Sequence, residues 1–189
     1  MPDKIAWHYT YEYKATPILT DGHLRLTPVE PLPGEPQGVW FSKNPVWEET
    51  VRKKTVIVDK VTGESVLSTE PLARDEFYEA TGFRAIRFAI DCRRFPNQLC
   101  GWNNYRKKLF KVGHAAHAKA LADTAKLWKA DPKDWLVIYR EVTLFELLNE
   151  VEIWDHVGDR GWIPAGLKVN EETRKVTVAP LIEMGGIAT

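Results

Sequence analysis

The chain has 189 residues, 44% of them hydrophobic and 28% charged, and its 26 basic and 26 acidic side chains leave no formal net charge. That length suits one domain with a full core, here residues 1–189. A zero balance excludes a global field that gathers nucleic acid, so only a local basic patch would serve such a role.

No apolar run approaches the roughly 18 residues that cross a bilayer, and the start, M-P-D-K-I-A-W, lacks the basic-then-apolar pattern of a signal peptide. Cys92 and Cys100 are the only cysteines. The expectation is reduced thiols, a cytoplasmic location and no membrane partner.

In chain order, Ile5 to Tyr9 alternates: Ile5, Trp7 and Tyr9 share one face, Ala6, His8 and Thr10 the other. This predicts a strand with its large apolar face on a core and its small polar face on a cleft. Ala15 to Asp21 predicts a short helix stopped by Gly22. Pro28, Pro31, Pro33 and Pro36 then exclude a central strand or helix interior. Val39 to Phe41 reads as a second strand. Ser42 or Asn44 would cap a helix from Pro45, with Trp47, Thr50 and Val51 inward and Glu48, Arg52 and Lys53 outward.

A hairpin follows, Thr55 to Val58 and Val66 to Leu67, turning at Gly63. Arg74 to Ala80 predicts a helix ending at Gly82. Phe83 to Asp91 is the clearest strand, with Ile86, Phe88 and Ile90 on one face and Ala85, Arg87 and Ala89 on the other. Arg87 between two alanines has room around it: it is either a solvated charge on an open sheet face or a substrate contact. Leu99 to Phe110 and His114 to Lys129 predict helices broken at Gly113. Trp135 to Val142 predicts a strand, as does Glu150 to Trp154, with Val151 and Ile153 opposite Glu150, Glu152 and Trp154. A last hairpin pairs Leu167 and Val169 with Val176 and Val178.

Cys92, Cys100, His114 and His117 are spaced too loosely for a zinc site, so no metal is expected. Phosphate-binding loops, H-E-x-x-H and G-x-S-x-G are missing from the sequence. The eight tryptophans read chiefly as core anchors.

What remains is His8 with Thr10 on the first strand and Glu150 with Glu152 on a late one. W-H-Y-T, I-L-T-D-G, G-V-W-F-S, F-R-A-I-R-F-A-I-D and E-V-E-I, in that order, resemble the ADP-ribosyltransferase superfamily, in the histidine-x-threonine branch with bacterial and phage members. The chain departs from that pattern at Tyr9, where the family often has glycine. The resemblance implies an α+β fold, a split, mostly antiparallel sheet with flanking helices and a central NAD-type cleft. It implies NAD as substrate, with ADP-ribose passed to a protein or nucleic-acid acceptor. His8 would bind the adenosine ribose, Thr10 or Ser42 the nicotinamide side, and Trp47 or else Trp40 would stack on the nicotinamide ring. Glu152, or else Glu150, would stabilise the oxocarbenium-like ribose.

Two other readings come from the residues. One is a non-catalytic assembly protein with a tryptophan-rich interface. The other is a nucleic-acid binder, in which Arg84, Arg87, Arg93, Arg94, Arg106, Lys107 and Lys108 interleave with Phe95, Trp102 and Tyr105 as a stacking groove would need.

Overall fold

The structure is a computed structural model and describes residues 4–26, 32–54, 56–58, 63, 65–67, 70–148, 151–156, 160–169 and 176–180. Strand β1 (Ile5–Tyr11) leads through a 3-10 turn into α1 (Ala15–Asp21), which stops where Gly22 takes φ 76°. Then come β2 (His23–Leu24), β3 (Val39–Ser42), a 3-10 turn Glu49–Val51, β4 (Val56–Val58) and β5 (Ser65–Leu67). Helix α2 (Arg74–Thr81) ends at Gly82, and β6 (Ala85–Asp91), β7 (Leu99–Gly101), α3 (Trp102–Lys111) and α4 (Ala115–Leu127) follow. The last elements are β8 (Trp135–Ile138), β9 (Val142–Thr143), β10 (Val151–Asp155), β11 (Gly161–Val169) and β12 (Val176–Pro180).

The result is an α+β fold with four helices among the described residues. One sheet holds eight strands in the order β12-β11-β10-β6-β1-β3-β8-β7, and every registered pair in it is antiparallel. β2 pairs with β9 and β4 with β5 in two small ribbons. β1 and β6 run together over seven residue pairs, whereas β1 and β3 meet through one pair only, Trp7 opposite Ser42. The sheet therefore opens between β1 and β3. Among the described residues no helix is long and apolar enough to cross a membrane.

Residues directly opposite on paired strands share a face. One face carries Ala6, His8 and Thr10 with Ile86, Phe88 and Ile90, and continues to Phe41, Ile138, Ile153 and Ile163. It is packed by Leu24, Phe95, Val142 and Leu147 into an aliphatic core. The other face carries Trp7, Tyr9, Tyr11, Arg87, Glu152, Trp154 and Trp162. Helix α2 covers it at one end through Phe77, and α3 and α4 cover it at the other through Tyr105, Leu109, Ala118 and Ala125. Both faces of β1 are thus packed, rather than one on a core and one on a cleft. Ala6 and Thr10 are buried on the side of the aliphatic core, and Tyr9 and Tyr11 are buried in an aromatic cluster with Trp47 and Phe77. Period-two alternation separates two faces but does not say which is wetter, and an aromatic ring serves either.

Two local expectations are corrected. Leu99–Gly101 is a strand rather than helix, because Cys100 lies opposite Val137 and completes the sheet edge. No helix starts at Pro45. Gly38 is fixed by space: a Cβ there would lie 2.2 Å from Val137 Cγ2 and 2.9 Å from the Ile138 carbonyl oxygen.

Candidate functional site

Trp7, Ser42 and Trp135 form one row across β1, β3 and β8 on the aromatic face. Two strand spacings, roughly 9–10 Å, separate the outer two, and the small Ser42 leaves room between the indoles. A cavity of about 330 Å³ lies here. Trp7, Tyr9, Trp40, Phe41 and Trp135 give it aromatic walls, His8 and Ser42 lie at the sheet opening, Glu48, Thr50, Val51 and Lys53 close one side, and Leu121 and Thr124 of α4 close another.

The polar groups have defined states. His8 Nδ1 is 2.9 Å from the Trp40 carbonyl oxygen, which can only accept, so Nδ1 carries the proton and Nε2 the lone pair. Burial beside Phe41 and Phe88 pushes the imidazole below its ordinary 6.5; the Trp40 bond opposes this and Lys53 adds to it. The ring is neutral at pH 7. Ser42 Oγ accepts from the Asn44 amide at 3.2 Å. Glu48 is 6% exposed, and its Oε1 accepts from the Thr50 amide at 3.3 Å and the Thr50 hydroxyl at 2.7 Å. The Trp135 indole N–H is buried without a partner among the described residues, an arrangement that costs about 1–3 kcal/mol.

Beside the cavity the same face is closed by a buried ion pair. Arg87 is 6% exposed, so it is not the solvated charge that its alanine neighbours suggested. Its Nε donates to Glu152 Oε2 at 2.5 Å, and its guanidinium lies 3.5 Å over the Trp7 ring and 4.5 Å from that of Trp162. At most one face of Trp7 then remains for the cavity. Arg87 Nη1 also donates to the Pro45 carbonyl. Tyr9 Oη donates to the Asn44 carbonyl, and Trp162 Nε1 to the Val46 carbonyl at 2.6 Å. Three successive carbonyls are thereby pinned to the sheet by three side chains. In a helix those carbonyls would accept from amides four residues on; here each accepts from a side chain of the sheet instead. Burial pushes the Tyr9 phenol up to about 12, keeping it a donor at neutral pH.

Of the residues singled out from sequence, His8, Trp40 and Ser42 line one cavity. Thr10 is buried on the same face of β1 as His8, beside Ile86, and does not line the cavity. Trp47 is buried among Tyr9, Tyr11 and Trp162 and does not line the cavity. Glu152 projects from the same face as Trp7 and Tyr9 but is held by Arg87, and its side chain lies on the face opposite to that of His8. Glu150 lies outside the described residues. Glu48, Trp7 and Trp135 were not foreseen as site residues. Glu48 read as the outer face of a helix, and its burial follows from the pinned carbonyls, which leave no mark in local sequence.

The other readings also meet the geometry. All eight tryptophans are buried or half-buried, so none offers an exposed tryptophan surface. Phe95, Trp102 and Tyr105 are core residues, while Arg84 pairs with Glu12 and Arg93 with Asp91, so no stacking groove forms there. Cys100 accepts from Tyr139, His117 faces Glu35, and His114 bonds the Pro33 carbonyl; these residues do not converge. No family model, no curated protein and no solved structure matches the chain.

Proposed function

We propose that this chain is an NAD-dependent ADP-ribosyltransferase, with an ADP-ribosyltransferase-like fold and the nicotinamide end of NAD in the cavity beside Ser42. The observation that carries the reading is that Trp40 and Ser42 share one face and one aromatic-walled cavity whose lining also includes His8, from the opposite face of β1; the resemblance assigns all three to NAD. The opening of the sheet between β1 and β3 supports the split sheet that such a fold requires. Trp40 rather than Trp47 is the stacking aromatic in this reading, because Trp40 lines the cavity. The acceptor is a protein or nucleic-acid group reaching the cavity mouth.

In the reaction the bond between C1′ of the ribose and the pyridinium nitrogen breaks. Its electron pair neutralises the pyridinium, and nicotinamide leaves. C1′ acquires oxocarbenium character, which a carboxylate stabilises. The acceptor oxygen or nitrogen then bonds C1′ and releases its proton to solvent. Calorimetric titration of NAD into the folded protein, followed by a nicotinamide-release assay with protein, DNA and RNA acceptors, tests the reading. Binding with acceptor-dependent release is expected; no binding at millimolar NAD rejects it.

A further inference from the structure

Glu48 and Glu152 both act on Tyr9, and their surroundings differ in charge. Glu152 faces a guanidinium at 2.5 Å, so its negative potential is already cancelled. Glu48 makes no salt bridge among the described residues, and the cation in the lining of the same cavity is Lys53. The Glu48 Oε1 takes both Thr50 donors, its Oε2 makes no hydrogen bond among the described residues, and Glu48 lines the cavity. A buried carboxylate without a countercharge is costly unless something positive comes to it. Aromatic walls add attraction for a flat cation.

We propose that Glu48 is the catalytic carboxylate of the cavity, meeting the cationic pyridinium–ribosyl end of the ligand, and that Glu152 is a positioning residue. Glu152 fixes Arg87, Arg87 fixes the Pro45 carbonyl, and that pinned segment carries Glu48 to the cavity wall. The proposal rests on the NAD reading and names the residue that would perform its chemical step.

The test has a binding arm and a turnover arm, both on the full chain. In the first, 1-methylnicotinamide, a cation, is compared with neutral nicotinamide. Wild type should prefer the cation about tenfold or more, and Glu48→Gln should erase that preference without lowering the melting temperature, since the amide oxygen still caps Thr50 and an uncompensated buried charge is removed. In the second, Glu48→Gln should lower nicotinamide release from NAD by about 100-fold or more with little change in KM. Glu152→Gln should stay within about tenfold in turnover and instead melt earlier. Cation preference that survives Glu48→Gln overturns the proposal, as does a turnover loss confined to Glu152→Gln. Cation preference with no NAD cleavage leaves the Glu48 site standing and removes the transferase reading. Absence of binding by every probe removes both.

Discussion

The wall around Glu48 and the pocket around Glu152 belong to the same sheet face, yet they solve the burial of a carboxylate in different ways. At Glu152 the fold supplies the countercharge itself, through Arg87, and seals the pair between Trp7 and Trp162. At Glu48 the described residues supply two Thr50 donors to one oxygen and no salt bridge, and the residue lines a cavity. The contrast separates structural from available charge: a carboxylate with an internal partner holds the fold, and one without such a partner is free to meet a ligand.

The largest break in that contrast comes from Arg87→Ala. It strands Glu152 in a buried site and removes one of the three pins, so a loss of about 3–5 kcal/mol is expected in chemical denaturation. A loss below about 1 kcal/mol would show that the pair is not sealed. Next in size is Trp162→Phe, which deletes the N–H that holds the Val46 carbonyl but keeps the ring over Arg87. About 0.5–1.5 kcal/mol should be lost, with faster amide exchange concentrated at Val46–Glu48.

A smaller effect concerns His8. Its folded pKa is lowered, so the unfolded chain takes up protons first as pH falls. The stability tied to its neutral state is complete above about pH 6.5 and declines below it, toward the lowered folded value. His156 is shifted the same way by burial, so His8→Gln should flatten the acid slope without removing it. Denaturation midpoints of wild type and variant across that range decide this; equal slopes would mean that His8 is hydrated. The smallest effect is expected from Trp135→Phe, within about 1 kcal/mol of zero in either direction. The lost edge contact there is offset by removal of an unpaired buried N–H.

Much of the fold was readable in the residues. The hairpin register Leu167 opposite Val178 and Val169 opposite Val176, the stop of α2 at Gly82 and the core face of β6 all follow from alternation and glycine placement. The site was readable only where its members sit on regular strands, as His8, Trp40 and Ser42 do. Glu48 was not, because its surroundings are set by Tyr9, Arg87 and Trp162, three residues distant in the chain or on other strands. Arg87 misled for the same reason: its alanine neighbours on β6 leave space, but rings from β1 and β11 fill it.

The three pinned carbonyls of Asn44, Pro45 and Val46 bear on the speed of recognition as well as on shape. A segment ordered during folding does not have to be ordered again when a ligand arrives. Association should therefore appear as one concentration-dependent phase in stopped-flow tryptophan fluorescence, without a slow isomerisation behind it. Loosening a pin, as in Trp162→Phe, should add such a slow phase even where the final affinity changes little.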